Sequence, residues 1–260
     1  MPNFTITEGL VRRFHEDGFI LAPNLFDQIE IELLGKIARA RNSAVERAAS
    51  RRDAQGGAIR LAVENELGDN IESAFVRCRR IVDAMERLLG GEVYHYHHKM
   101  IFKEPFTGGA WEWHQDYGYW YNNGCLFPDL ASCMIAVDRA TKENGCLQVL
   151  KGSHRMGRID HGKVGDQTGA DRERVEAALK RFELIHCELD PGSAIFFHAN
   201  LLHCSAQNRS AHPRWALICC YNRASNDPYK ESRHPRYSRL EKWPDSRILE
   251  IGRRELAELS

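Results

Sequence analysis

Val93-Tyr94-His95-Tyr96-His97-His98-Lys99-Met100-Ile101-Phe102-Lys103 is the stretch at which the periodicity of the chain turns over. Before it, apolar residues recur at helical spacing. From Val93 onward the period is two, the pattern of half-buried strands. Further runs of this kind cover 131–138, 146–150, 183–189, 194–198 and 214–221. Turn signals separate them: Gly108-Gly109, Asn122-Asn123-Gly124, Asn144-Gly145, Lys151-Gly152-Ser153 and Pro191-Gly192. Helices first and many short strands afterwards predict an α+β chain whose β part is a sandwich or barrel.

Upstream of the turnover, Thr7 is placed to cap a short helix carrying Leu10, Val11 and Phe14 and ending at Gly18. Asp27, with Glu30 three residues later, is a capping-box signal for a helix bearing Ile29, Leu33, Leu34 and Ile37. The spacing of Phe75, Cys78, Val82, Met85 and Leu89 predicts one further helix from Ile71 to Leu89. Asn42-Ser43 is too short a break to be a linker, whereas Arg51-Arg52-Asp53-Ala54-Gln55-Gly56-Gly57 reads as a mobile loop. A charged, helix-favouring insertion at 170–181 is expected outside the barrel. With no internal repeat, the chain reads as a single domain over 1–260: a helical flank (1–90), a β core (91–225) and a C-terminal extension (226–260).

The 260 residues carry 36 Lys and Arg against 36 Asp and Glu, a formal charge of zero, which argues against a strongly basic nucleic-acid binder or an acidic tail protein. A hydrophobic fraction of 43% is enough for a large core without disulfides. No basic-then-apolar leader opens the sequence, and the stretch free of Lys, Arg, Asp and Glu at 191–208 holds Pro, Gly, His and Asn, so it predicts buried strands rather than a membrane span. Eight cysteines without a Cys-x-x-Cys motif are expected as reduced, small hydrophobes in a cytoplasmic protein. The expected partner is a small molecule, with no nucleic acid and no membrane; oligomeric state is not legible.

The chemistry begins at Trp111-Glu112-Trp113-His114-Gln115-Asp116. A His-x-Asp pair has little weight alone, since His15-Glu16-Asp17 is another. That second pair closes a helix, where residues two apart do not face each other. On a strand they share a face, so His114 and Asp116 can both point into a barrel. His203, in Leu201-Leu202-His203-Cys204-Ser205, sits in an otherwise apolar environment with Ser205 on its face. Arg214 then opens a strand whose Ala216 and Ile218 share its face. A guanidinium entering a barrel stays charged and needs an anionic partner. Two His, one Asp and a buried Arg suit a ferrous site with a carboxylate cosubstrate, the facial arrangement leaving positions for a bidentate keto acid and O2.

The ordered block His114-Gln115-Asp116, Ile135-Ala136-Val137-Asp138, Glu143-Asn144-Gly145-Cys146-Leu147, Gly152-Ser153-His154, His203 and Arg214 resembles the phytanoyl-CoA dioxygenase family. The opening Phe14-His15-Glu16-Asp17-Gly18-Phe19-Ile20 resembles that family's start as well. The resemblance implies a double-stranded β-helix (a cupin-like jelly roll) with flanking N-terminal helices. It implies a dioxygenase that couples decarboxylation of 2-oxoglutarate to succinate with hydroxylation of an unactivated C–H, using Fe(II) and O2, with ascorbate as a reductant. His114, Asp116 and His203 match the iron ligands; Arg214 and Ser205 match the residues that hold the distal carboxylate of 2-oxoglutarate. Lys99 and Met134 fall at cosubstrate-pocket positions, Lys99 as a departure that adds a cation. Asp116 fills the position that is small in related halogenases, which favours hydroxylation.

His97, Trp113, Tyr117 and Arg223 are candidate substrate contacts, the aromatics because they crowd around His114. Adjacent His97 and His98 face opposite ways on a strand, against a second metal site in the His95–His98 cluster, and His154 is expected to be structural. Two other classes stay open: a cupin-type hydrolase or isomerase using zinc or manganese, and a non-catalytic jelly-roll binding module.

Overall fold

The structure, a computed structural model, describes residues 4–41, 49–53 and 57–259. Asn42-Ser43 and the middle of the Arg51–Gly57 segment lie outside the described residues. The strands are β1 (Phe19–Ala22), β2 (Ala49–Arg52), β3 (Ala58–Glu64), β4 (Val93–Lys103), β5 (Trp111–His114), β6 (Leu130–Ala136), β7 (Leu147–Leu150), β8 (His161–Val164), β9 (Gln167–Ala170), β10 (Leu184–Cys187), β11 (Ala194–His198), β12 (His203–Ser205) and β13 (Arg214–Arg223). The helices are α1 (Glu8–Asp17), α2 (Gln28–Ala40), α3 (Ile71–Arg77), α4 (Arg79–Leu89), α5 (Asp116–Trp120), α6 (Arg172–Leu179) and α7 (Ser246–Glu258).

The strands form a seven-stranded sheet in the order β1-β11-β6-β13-β4-β3-β2, facing a four-stranded sheet in the order β10-β7-β12-β5. Every pairing within them is antiparallel. The expected jelly-roll core is thus present. Alternation sorts its side chains: Met134, Ile195, Phe197, Ala216 and Ile218 face inward to meet Leu147 and Val149 of the smaller sheet. Their strand neighbours Ile135, Phe196 and Leu217 face outward, under a layer from Phe14, Leu34, Phe75, Met85 and Ile251 of the helices. The larger sheet is therefore apolar on both faces, which anchors it.

Helix α1 has the Thr7 cap and ends at Gly18, whose φ of 84° favours glycine. The Asp27–Glu30 capping box at the start of α2 is complete: Asp27 Oδ1 accepts from Glu30 N at 2.9 Å, and Glu30 Oε2 accepts from Asp27 N at 2.8 Å. The insertion at 170–181 holds the expected helix, α6.

Two expectations are corrected. The helix read from Ile71 to Leu89 is two helices broken at Cys78, which is extended (φ −63°, ψ 140°). The C-terminal extension causes the break: Trp243 N donates to Arg77 O, and Arg79 N to Trp243 O, bridging the chain where helical bonds would run. The flank read as helical also supplies β1, β2 and β3 to the larger sheet, and Ala49–Arg52, in part expected as a loop, pairs with β3. Short edge strands carry too few residues for a period to show.

Arg80 ties this flank together. Its guanidinium donates to both oxygens of buried Glu30 at 2.9 and 3.0 Å, to Leu25 O at 2.7 Å and to Asp245 Oδ2 at 3.2 Å. Arg80→Met leaves Glu30 buried and unpaired, so a stability loss of about 3 kcal/mol is expected in urea denaturation. An unchanged midpoint removes Arg80 as the tie.

Candidate active site

β5 and β12 lie side by side in the smaller sheet, with His203 opposite His114 in register. Both rings point into the space between the sheets, 4.0 Å apart at their centroids. Asp116 reaches the same space by a route the alternation did not predict: β5 ends at His114, and Asp116 opens the short helix α5. The residue between them, Gln115, points away and is fully engaged, donating to Gly157 O and Asn200 O, both at 2.9 Å, and accepting from Ile159 N at 2.7 Å. It fixes the turn that swings Asp116 inward.

His114, Asp116 and His203 are all buried, and one ligand atom from each lies within 4.8 Å of the others. His114 Nδ1 is 2.8 Å from Glu112 O, and His203 Nδ1 is 2.9 Å from Leu201 O. Each Nδ1–H therefore donates to a carbonyl, leaving the Nε2 lone pairs for a metal. His114 Nε2 lies 3.7 Å from Asp116 Oδ1, while Ser132 Oγ donates to Asp116 Oδ2 at 3.3 Å. Burial pushes His203 down to about 3, with the neighbouring His114 adding to it, so the imidazole is neutral. Burial works against the Asp116 carboxylate, but neighbouring Lys99 foremost, with the two triad histidines behind it, outweighs burial and holds its pKa below the usual range. Two imidazole nitrogens and a carboxylate are the donor set a divalent iron accepts. The residues fit the ion. Among the described residues this is the one cluster of three or more such side chains.

Ser205, Arg214, Lys99 and Met134 also line the interior. Arg214 is 3% exposed; its guanidinium donates to Gly145 O at 2.9 Å, and its Nε is buried without a partner. Burial lowers its pKa to about 10. Lys99 sits in one row with Ile218 and Met134 across β4, β13 and β6, and it forms no ion pair with a described carboxylate. His97 is inward too, one row nearer the triad, with Nδ1 buried and unpaired. Its neighbours His95 and His98 pair with each other at 3.0 Å. His154 accordingly has a structural contact, Nε2 to His15 O at 3.0 Å.

Three expected substrate contacts are elsewhere. Trp113 packs outward against the cluster of Leu150, Ile159, Ala170 and Leu202, on the face of β5 opposite its neighbour His114, while a register shift between β5 and β12 turns Trp111 inward. Tyr117 is buried, but its hydroxyl donates to Leu126 O at 2.7 Å and anchors that loop. Arg223 lies at the far end of β13, 3.8 Å from Asp129 and donating to Gly90 O at 3.1 Å.

Two interior residues escaped the sequence reading. Lys103 shares the inner face with His97 and Lys99, and the period of two signalled as much. His234 comes from the C-terminal extension, its ring 5.1 Å from His97 and 4.9 Å from Tyr96, its Nδ1 also buried and unpaired. No sequence signal pointed to it.

The pattern of the phytanoyl-CoA dioxygenase family, Phytanoyl-CoA dioxygenase (PhyH), matches residues 14–216. The chain belongs to that family. The L-proline trans-4-hydroxylase of Streptomyces griseoviridis is 34% identical to it over 183 residues, covering 64% of this chain and 68% of that protein. The ectoine dioxygenase of Stutzerimonas stutzeri (strain A1501) is 27% identical over 242 residues, 87% of this chain and 80% of the relative. Among solved structures, EctD from S. alaskensis with 2-oxoglutarate and 5-hydroxyectoine has a TM-score of 0.78 at 25% identity, covering 92% of this chain and 89% of that one. The same protein has been solved with bound Fe. This family member is a 2-oxoglutarate-dependent non-haem iron dioxygenase, a hydroxylase of small molecules. No helix among its described residues is long and apolar enough to cross a membrane.

Asp116→Ala is expected to lose most of the bound Fe(II), measured with a chelating dye after desalting, and to abolish most turnover. Asp116→Glu displaces the carboxylate by roughly a bond length, enough to cost about a hundredfold in rate. Unchanged iron content and turnover in either variant would falsify the ligand assignment.

Proposed function

We propose that the chain hydroxylates an unactivated C–H of a compact, carboxylate-bearing small molecule. Iron is held by His114, Asp116 and His203, and the distal carboxylate of 2-oxoglutarate by Arg214 and Ser205. One observation carries the cosubstrate assignment: a buried guanidinium with an unpaired Nε stands opposite Lys103, whose ammonium bonds Ser205, two strand residues from His203. Strand geometry puts those residues about 6.6 Å apart on one face, the scale of a five-carbon oxodiacid chelated at one end and anchored at the other.

When bound, iron and 2-oxoglutarate supply the oxidising power; the protein binds, orients and excludes water. Lys99 and Met134 we assign to the wall of the oxoacid pocket, Lys99 on its iron side. His97 and His234, each with a buried unpaired Nδ1, are the polar groups facing the remaining space, and we assign the substrate to them. The substrate class is supported by the relatives' own named substrates, L-proline and ectoine, both compact rings bearing a carboxylate. Cytoplasmic location is supported by eight free, buried cysteines.

The test is succinate formation with Fe(II), ascorbate and 2-oxoglutarate, with L-proline and ectoine as probes and a 16 Da mass gain in the probe as the readout of hydroxylation. Turnover coupled to a carboxylate-bearing probe supports the proposal; turnover with the decarboxylated amines alone overturns the substrate class.

Arg214→Ala is expected to weaken 2-oxoglutarate binding roughly thirty- to a thousandfold, from about 2–4 kcal/mol for a shielded, charge-assisted contact, while sparing iron. Titration of the anaerobic Fe(II) protein, followed by its metal-to-ligand charge-transfer band, measures this. Arg214→Lys is a partial rescue, since it keeps the charge and loses the fork. Unaltered affinity in folded Arg214→Ala refutes the assignment.

A further inference from the structure

We infer that Lys103 is a second cation of the cosubstrate pocket, so that the distal carboxylate of the oxoacid is held between Lys103 and Arg214 and a dicarboxylate is required. This rests on the reading of Arg214 given above.

Lys103 closes β4 directly opposite Arg214, which opens β13, and both point inward. Its side chain is 0% exposed. Nζ donates to Ser205 Oγ at 2.8 Å and also to Ala206 O. Those are neutral acceptors, and neither Lys103 nor Arg214 forms an ion pair with a described carboxylate. A buried cation is normally paired, because taking it out of water costs several kcal/mol. Two unpaired cations side by side double that cost and add mutual repulsion. Burial first, and then Arg214, push the Lys103 ammonium well below its ordinary range, and the buried Asp53 carboxylate offsets this only in part.

The backbone is shaped to keep the amine there. A Cβ on Gly108 would lie 2.4 Å from Lys103 Cγ, so only glycine lets the alkyl stem pass. A Cβ on Gly145 would lie 3.0 Å from Lys103 Nζ and 2.2 Å from Ala206 O, and Gly145 is also the carbonyl that Arg214 grips. One glycine turn thus borders both cations. Ser205 completes the group, two residues beyond His203 on the inner face.

A carboxylate arriving here takes charge-assisted bonds from both sides and relieves the repulsion between them. An oxoacid lacking the distal carboxylate still chelates iron but leaves both cations unpaired. The pocket therefore discriminates by the second carboxylate, and Lys103 carries part of that discrimination.

The test compares 2-oxoglutarate with 2-oxobutyrate, which keeps the chelating end and lacks the distal carboxylate. Both are titrated into the anaerobic Fe(II) protein. Lys103→Met is expected to weaken 2-oxoglutarate roughly ten- to a hundredfold and to leave 2-oxobutyrate within about twofold. Lys103→Gln, which retains donors for Ser205 and Ala206, should show the same split and serves if the methionine variant does not fold. An equal loss for both oxoacids, or none for 2-oxoglutarate, overturns the role of Lys103. If Arg214→Ala loses 2-oxoglutarate selectively and the Lys103 variants do not, only this inference fails. If neither position affects the split, the reading of Arg214 fails with it.

Discussion

Two backbone carbonyls, Glu112 O and Leu201 O, hold the centre of this molecule in a working state. Each accepts the Nδ1–H of the histidine two residues further along the chain. This fixes tautomer and ring direction together, and both Nε2 atoms face the same point between the sheets. The constraint is local in the chain but depends on strand pairing for its effect, because β12 must sit in register with β5 to bring His203 opposite His114. That register is in turn held by apolar layers on both faces of the larger sheet, which leave the smaller sheet one way to close the barrel.

The interior has a polarity along its length. The triad holds one carboxylate, Asp116, with the Lys99 ammonium near enough to favour its ionised form. The Ser205 end is cationic, with Arg214 and Lys103 side by side. Between these ends lies a low-dielectric space where such charges act strongly and where leaving them unmatched is costly.

The C-terminal extension does more than cover the helices. Trp243 bridges to the backbone on either side of Cys78 and breaks what would be one long helix, while Asp245 joins the Arg80 cluster. The same extension brings His234 over Tyr96 and His97. It lies beyond the residues matched by the family pattern.

The sequence by itself determined the alternating strands, the Asp27–Glu30 and Thr7 caps and the inward faces of β4 and β13, and it singled out His114, Asp116, His203, Ser205 and Arg214 as candidates through the family resemblance. The strands, caps and faces follow from short-range rules: a period of two, and a cap three residues from its partner. Tertiary structure alone decided what depends on distant partners. Asp116 turns inward through a helix start fixed by Gln115 bonding to Gly157 and Asn200. Trp111 would share the outward face of Trp113 by alternation, and it turns inward only at the register shift between β5 and β12. The helix at Cys78 breaks because a segment more than 160 residues away supplies its hydrogen bonds. Lys103 comes to lie opposite Arg214 only when β13 pairs with β4. Periodicity reports which way a side chain points relative to its neighbours in sequence; it carries no information on which strand, glycine or charge it will meet.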